Sequence, residues 1–237
     1  MSKTIDHAIT RSVVIPAGVM LPGDLTIPPG AKGIVVFAHG SGSSRLSPRN
    51  QRVAGTLQEG GFATLLFDLL TADEESLDAM TGHLRFDIPL LAERLANVTD
   101  WLSTDADTAD LPVGYFGAST GAAAALLAAA SRPERVDAVV SRGGRPDLAG
   151  DALDKVRAPT LLIVGGDDAP VIAMNRDALH KMTTRTKELV IVPGATHLFG
   201  EPGKLERVAD LALTWFTSHL GIVLHAPDRR GEPTEAL

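Results

Sequence analysis

No cysteine occurs among the 237 residues, so the chain can form no disulfide bond, thiolate nucleophile or cysteine-ligated metal site. Aromatic residues are also scarce, at 4%, and acidic residues outnumber basic ones by 29 to 22, which leaves a formal net charge of −7. An acidic surface disfavours nucleic acid and anionic membranes as binding partners.

Membrane segments, export signals and metal-ligand patterns are missing as well. No apolar run approaches the roughly 18 residues of a membrane span, and the N-terminal residues lack the apolar core of a secretory signal peptide. The seven histidines are scattered, with no pair at a spacing such as His-x-x-x-His. We therefore predict a cytoplasmic protein with no membrane or nucleic-acid partner, no metal and no cofactor.

Short apolar runs typical of buried strands alternate with helical stretches such as 48–59 along most of the chain. The runs lie at 33–38, 62–67, 113–116, 136–140, 160–164 and 188–192, after a predicted hairpin at 12–27. This alternation predicts an α/β fold with a mostly parallel, doubly wound sheet of about eight strands. We expect a single domain over residues 1–225 and a loose tail over 226–237. Ligands bind beyond the carboxyl ends of the strands in such sheets.

Residues 117–121 read Gly-Ala-Ser-Thr-Gly, which matches the pattern Gly-x-Ser-x-Gly. They lie where a strand-like run, 111–116, meets an alanine-rich helical run, 122–130. This context is typical of a nucleophile elbow, a sharp turn that exposes a serine hydroxyl above the sheet edge. The turn strains the serine backbone, and a side chain at either glycine would clash with the neighbouring strand and helix. Ser119 is therefore the predicted nucleophile.

A loop of small residues follows the strand at 33–38, where residues 39–44 read His-Gly-Ser-Gly-Ser-Ser. Such a loop can present backbone N–H groups to an anion; the alternative is a solvated loop without function. Beside a serine nucleophile, we predict that the N–H groups of Ser41 and Thr120 stabilise the oxyanion of a tetrahedral intermediate. His39 is predicted to be a structural residue that packs under the loop.

Acidic and basic candidates follow two later strands. Asp167 and Asp168 come after the strand at 160–164, and His197 follows the strand at 188–192. A carboxylate orients and charge-balances a histidine base, and a neutral imidazole accepts the serine proton. Either aspartate can instead cap the next helix, and the two roles are compatible. We predict Asp168, rather than Asp167, as the acid and His197 as the base.

Taken together, these residues resemble the α/β-hydrolase superfamily and, within it, the dienelactone-hydrolase-like family. The resemblance covers residues 10 to 222 and is carried by His39-Gly40, the motif at 117–121, Gly166-Asp167-Asp168 and Thr196-His197. It implies an α/β-hydrolase fold and a triad of Ser119, Asp168 and His197, in the superfamily's order of nucleophile, acid and base. Dienelactone hydrolases proper carry a cysteine nucleophile, whereas this chain has serine, as do many relatives that look like carboxylesterases.

The resemblance also bears on the size of the substrate. Lids in this superfamily are usually inserted after the sixth strand, and here only about twenty residues, 140–160, separate the two predicted strands. Little or no lid is therefore expected. An open, shallow pocket favours small soluble esters over long-chain lipids.

Basic residues gather near the expected mouth of this pocket. Gly42, Arg45 and Arg142 are the candidates for substrate binding, because arginine binds a carboxylate in a bidentate fork. One hypothesis is that the natural ester carries an acidic group. The alternative is that these arginines are solvated or paired with the acidic residues at 68, 73 and 74.

The leading hypothesis is a cofactor-free serine carboxylesterase. The same triad serves amidases, peptidases and acyltransferases, and the sequence leaves these open. A hydrolase-fold interaction module without activity is an alternative of another class. Monomer and homodimer both remain open.

Overall fold

An antiparallel hairpin begins the part of the chain that the computed structural model describes, residues 8–220. Its strands are β1 (Ile9–Pro16) and β2 (Met20–Ile27), and Gly18 turns between them with a φ of 83°. The predicted tail at 226–237 and the predicted end of the domain at residue 225 lie outside the described residues.

Six further strands and six α-helices follow. The strands are β3 (Ile34–Ala38), β4 (Ala63–Phe67), β5 (Val113–Ala118), β6 (Val136–Arg142), β7 (Thr160–Gly165) and β8 (Lys187–Val192). The helices are α1 (Pro48–Glu59), α2 (Ala72–Thr81), α3 (Ile88–Leu102), α4 (Thr120–Ser131), α5 (Ala169–Lys181) and α6 (Lys204–His219). Two 3₁₀ segments lie at Leu84–Phe86 and Pro146–Lys155.

All eight strands form one sheet in the order β1-β2-β4-β3-β5-β6-β7-β8. β2 pairs antiparallel with β1 and β4, and every pairing from β4 to β8 is parallel. One apolar cluster lies under α3 and α4 and a second under α1 and α6, so the sheet is buried on both faces. This burial is the reason the central strands read as continuous apolar runs. The predicted mostly parallel, doubly wound sheet is confirmed.

Between β6 and β7 the chain forms only the 3₁₀ segment Pro146–Lys155, and no helical lid is inserted there. Helix α2 was not predicted, because only one of its ten residues, Asp78, is buried and no apolar stripe marks it. Its start does carry a local signal. The Thr71 hydroxyl accepts a hydrogen bond from the Glu74 N–H, and the Glu74 carboxylate accepts one from the Thr71 N–H. This reciprocal pair is a capping box.

No helix within residues 8–220 is both long enough and apolar enough to cross a membrane.

The turn from β5 into α4 is packed against backbone on both sides. A Cβ atom on Gly121 would lie 2.2 Å from the carbonyl oxygen of Ala38, and one on Gly117 would lie 2.4 Å from the Cα of Ala122. Real Cβ atoms essentially never approach other atoms so closely. The absence of side chains at these two glycines therefore lets α4 begin directly against β3.

Replacing Gly121 with alanine is expected to destabilise the protein strongly. The new methyl group meets backbone carbonyls that cannot rotate away, so a loss of about 3 kcal/mol or more in the free energy of unfolding is expected. Urea unfolding followed by circular dichroism measures this. The control is Gly55→Ala in α1, where nothing lies within 4 Å of the added methyl group. It should be neutral or stabilising by up to about 1 kcal/mol, and equal losses in both variants would contradict the packing argument.

Candidate active site

Ser119 stands at the C-terminal end of β5 in a strained conformation, with a φ of 52° and a ψ of −120°. Such a conformation costs a residue with a side chain on the order of 1–3 kcal/mol. Three backbone hydrogen bonds hold it: the Ser119 N–H donates to the Arg142 carbonyl at 3.2 Å, and its carbonyl accepts from the N–H groups of Ala122 and Arg145, each at 3.1 Å. The serine is therefore tied to the segment that leaves β6.

A histidine and a carboxylate meet at the same edge of the sheet. Nδ1 of His197 lies 2.7 Å from Oδ2 of Asp168. The carboxylate is largely shielded, with 14% of its side chain exposed, whereas 39% of the imidazole is exposed. The contact with Asp168 holds the Nδ1 side of the ring, and part of the ring is exposed to solvent.

Asp168, not Asp167, is the aspartate that contacts the histidine. Asp168 occupies the N-cap position of α5, but its side chain makes no capping hydrogen bond. The Asp168 carboxylate binds His197 instead, and only the backbone of Asp168 contributes to the start of the helix. Asp167 is exposed, and its N–H donates to the carbonyl of Ala195 at 3.0 Å.

The loop that carries His197 is fixed by two residues that the sequence did not single out. The Glu201 carboxylate accepts hydrogen bonds from the N–H and the hydroxyl of Thr196, at 3.1 and 2.5 Å. Phe199 has a φ of 55°, unusual for a bulky residue, and its ring is buried in the cluster under α1 and α6. No local pattern marks these roles, since both depend on where the loop packs.

The histidine and the serine flank the same turn. A Cβ atom on Gly143 would lie 3.5 Å from Nδ1 of His197, and the residue before it, Arg142, accepts the Ser119 N–H. Within the described residues, the Ser119 hydroxyl makes no hydrogen bond to the His197 ring or to another group. Serine–histidine hydrogen bonds of unliganded enzymes are often looser than those of their complexes.

The loop after β3 passes directly over the serine. A Cβ atom on Gly40 would lie 3.0 Å from the Cβ of Ser119, so the two residues are in contact. The hydroxyls of Ser41 and Thr120 are 3.0 Å apart. Thr120 is the first residue of α4, where an N–H has no partner within the helix. The two predicted oxyanion donors thus come from residues that the structure brings together.

His39 connects this loop to the end of β4. The Leu69 N–H donates to Nε2 of His39 at 3.0 Å, and Nδ1 lies 3.0 Å from the Gly40 carbonyl. Because a backbone N–H can only donate, Nε2 must be the acceptor and Nδ1 must carry the proton. Burial is the main cause that lowers the pKa of His39, against smaller raising effects from the Gly40 carbonyl and from Asp68 and Glu75. The neutral ring is therefore a structural link under the loop.

The substrate-binding candidates differ in their partners. Arg45 pairs with Asp68 and lies 3.3 Å from Asp24, which is the ion-pairing alternative that the sequence left open. Arg142 is buried, with 7% exposed, and within residues 8–220 its guanidinium makes one hydrogen bond, to Oδ1 of Asn50 at 3.4 Å. Gly42 is exposed, with a φ of 65°.

A small pocket opens beside the loop after β3. Its apolar wall consists of Leu69, Leu70 and Leu91, and its polar wall includes Glu75 and Asp78 of the unpredicted helix α2. Ser41 and Thr120 line its floor next to the serine. Among residues 8–220, no cluster of histidine and acidic side chains has the arrangement of a metal site.

The family of the chain follows from comparison with known proteins. The dienelactone hydrolase family model matches residues 21–217. The chain belongs to this family. The predicted resemblance is therefore confirmed, and membership of a hydrolase family supports hydrolytic chemistry.

Two proteins of high sequence identity to this chain carry different names. A "Putative phosphoribosyl transferase" of Mycobacterium tuberculosis is 60% identical over 207 residues, which are 87% of this chain and 46% of that protein. The chain thus spans about half the length of this relative. A dienelactone hydrolase from Anabaena variabilis, known from a crystal structure, is 62% identical with a TM-score of 0.88, over 91% of this chain and 100% of the other.

A more distant structure supports the fold alone. A serine hydrolase without lid from Xanthomonas campestris is 20% identical with a TM-score of 0.67, over 90% of this chain and 94% of the other. With the structure from Anabaena, it confirms the predicted α/β-hydrolase fold with little or no lid.

The neutral state of His39 makes the stability of the folded protein depend on pH. The unfolded chain binds a proton at this histidine below about pH 6.5, whereas the folded protein, with its lowered pKa, does so only at lower pH. Stability is therefore lost as pH falls below about 6.5, by up to about 1.4 kcal/mol per pH unit for one group. Chemical unfolding at pH 5 to 8 should show a weaker pH dependence in His39→Gln. In His180→Gln, which changes an exposed histidine of α5, the dependence should match the unaltered protein; equal slopes in all three proteins would contradict the assignment.

Proposed function

We propose that this protein is a serine hydrolase that cleaves small soluble carboxylic esters through Ser119, His197 and Asp168. The observation that carries the proposal is the 2.7 Å contact between His197 and Asp168 at the sheet edge where Ser119 is held with a φ of 52°. The proposal concerns this chain alone, since the transferase named above is about twice as long.

In the first half of the reaction the serine becomes acylated. His197 accepts the hydroxyl proton of Ser119 through Nε2 as the oxygen attacks the ester carbonyl carbon. The tetrahedral intermediate collapses when the bond to the alcohol oxygen breaks and His197 returns the proton to that oxygen. Asp168 accepts the hydrogen bond from Nδ1–H, which fixes the tautomer of the ring and stabilises the imidazolium.

In the second half a water molecule replaces the alcohol. His197 takes a proton from the water, the hydroxide attacks the acyl carbon, and the proton is then delivered to Ser119 Oγ as the acid leaves. The negative oxygen formed in each half faces the N–H groups of Ser41 and Thr120, and one such donor lowers the barrier by roughly 3 kcal/mol. No metal or cofactor takes part in these steps.

The shape of the site supports a small substrate. Only three leucines form the apolar lining of the pocket beside Ser41 and Thr120. No helical lid is inserted between β6 and β7 to extend that lining. An acyl group of a few carbons fits such a wall. Amides and acyl transfer would use the same groups and are separated only by assay.

Ser119→Ala is expected to lower kcat/KM for 4-nitrophenyl acetate by on the order of 10⁴-fold, because the nucleophile is lost. The free energy of unfolding should not fall, since alanine meets the same backbone strain. A fluorophosphonate should add to Ser119 of the unaltered protein, as read by mass spectrometry, and not to the variant. Ser218→Ala on α6 is the control. Undiminished hydrolysis by Ser119→Ala, or absence of labelling, would reject the nucleophile and favour a non-catalytic module.

The two neighbouring aspartates provide a matched pair for the acid. Asp168→Asn retains the shape of the side chain but removes the charge that balances the imidazolium, so kcat should fall by about 10³-fold or more. Asp167→Asn alters an exposed carboxylate one residue away and should leave kcat unchanged. Steady-state kinetics with the same ester measures kcat for both variants. A larger fall in kcat for Asp167→Asn than for Asp168→Asn would assign the acid to Asp167.

A further inference from the structure

The side-chain hydroxyls of Ser41 and Thr120 form a pair that the proposed reaction does not use. Their oxygen atoms are 3.0 Å apart, so one hydroxyl donates a hydrogen bond to the other. The pair joins the loop after β3 to the first residue of α4. The reaction described above draws only on the backbone N–H groups of these two residues. One hydroxyl hydrogen of the pair is therefore left over, and its position depends on which residue donates.

The surroundings of the two hydroxyls decide the direction of this hydrogen bond. Thr120 is buried, with 3% exposed, and within residues 8–220 its hydroxyl has no partner other than Ser41. If Ser41 donated, the hydrogen of Thr120 would be buried with no acceptor in this range, which costs free energy. If Thr120 donates, its hydrogen is satisfied, and the remaining hydrogen belongs to Ser41, which is exposed. The arrangement that satisfies both residues thus has Thr120 as the donor.

The hydroxyl hydrogen of Ser41 is then free to bind a ligand. Within residues 8–220, the other acceptor near this hydroxyl is the Arg85 carbonyl, at 3.5 Å. That distance is at the outer limit for a hydrogen bond between oxygen atoms, so the contact is weak. Ser41 and Thr120 both line the pocket beside the loop. The hydroxyl of Ser41 can therefore turn toward an acceptor in the pocket without losing a strong bond.

This hydroxyl lies close to the candidate nucleophile. The residue before Ser41 is Gly40, on which a Cβ atom would lie 3.0 Å from the Cβ of Ser119. Thr120, which holds the Ser41 side chain, directly follows Ser119 in the chain. A carbonyl group attacked by Ser119 therefore lies beside both members of the pair.

We propose that the Ser41 hydroxyl donates a third hydrogen bond to the oxyanion, and that the Thr120 hydroxyl holds it in position. This role rests on the proposed function and adds a side chain to the two backbone donors. Ser41 retains its proton in every step, so the transfer of protons through His197 is unchanged. A charged oxygen accepts a stronger hydrogen bond than a neutral carbonyl. The bond is therefore stronger in the transition state than in the bound substrate and acts on kcat rather than KM.

Ser41→Ala tests the catalytic role, because it removes the hydroxyl and retains the backbone N–H. The kcat for 4-nitrophenyl acetate should fall by about 100-fold, as for the loss of one oxyanion donor, while KM stays the same. The control is Ser43→Ala, the same substitution two residues further along the loop, which should leave kcat and KM unchanged. An unchanged kcat in Ser41→Ala, or equal losses in both variants, would overturn the proposal.

The positioning role of Thr120 is tested by a pair of variants and a double-mutant cycle. Thr120→Val keeps the shape of the side chain without the hydroxyl and should lower kcat by about 10-fold, whereas Thr120→Ser should retain kcat. In a Ser41→Ala background, Thr120→Val should cause no further loss, because it acts through Ser41. A purely structural role would instead give losses that add, and Thr120→Ser would not restore kcat. Should Thr120→Val fail to fold, Ser41→Ala at its exposed position still decides the catalytic role.

The rate of labelling by a fluorophosphonate separates this role from the proposed function. If the unaltered protein cleaves esters and Ser41→Ala does so equally well, the role of Ser41 is rejected and the proposed function stands. If no ester is cleaved but Ser119 is labelled, the labelling rate replaces kcat, since negative charge also develops on the phosphoryl oxygen. The same ranking of variants is then expected, and equal labelling rates would overturn the role. Absence of both hydrolysis and labelling would reject the proposed function and the role of Ser41 with it.

Discussion

The site depends on the direct approach of the α4 backbone to the β3 backbone at Gly121. Nothing larger than a hydrogen atom fits between Gly121 and the Ala38 carbonyl. This close approach allows α4 to begin at Thr120, the residue after Ser119. The serine lies in this turn with a positive φ of 52°. Gly40, which contacts Ser119, belongs to the loop that passes over the serine. The strain at one residue is small against the burial of a sheet on both faces.

The second requirement is the parallel arrangement of the strands. Parallel strands end at one edge, so the residues after β5, β7 and β8 lie at the same edge although Ser119 and His197 are 78 positions apart in the chain. Two side chains hold the loops at that edge. His39 ties the loop after β3 to Leu69, and Glu201 ties the histidine loop to Thr196. Neither residue is assigned a proton transfer in the proposed reaction; both fix the backbone on which the reacting groups stand.

The distribution of charge around the edge is uneven. Several arginines near the site are neutralised by a neighbouring aspartate, among them Arg45, Arg85 and Arg145. Arg142 and Arg49 form no salt bridge with any residue from 8 to 220, although the chain as a whole has a net charge of −7. These two unpaired guanidinium groups near the candidate nucleophile are positively charged, which is opposite in sign to the net charge of the chain.

Local features of the chain were readable from the sequence because local rules produce them. The alternation of apolar runs predicts the parallel sheet, α1 begins and ends at the predicted residues 48 and 59, and the glycines around Ser119 indicate the sharp turn. Helix α2 was not predicted, because almost none of its side chains are buried and its sequence has no apolar periodicity. Its capping box is the one local signal of its start.

Sequence alone thus determined the fold class, the position of the elbow and the small set of residues that strand ends bring to one edge. Tertiary structure decided the pairings among them: Asp168 and not Asp167 contacts His197, and Arg45 pairs with Asp68 whereas Arg142 has no acidic partner in the range 8–220. Hydrophobic periodicity and turn preferences depend on residues that are close together in the sequence, so they can be recognised from the sequence itself. The direction of a side chain toward a partner far away in sequence depends on the twist and packing of every element between them.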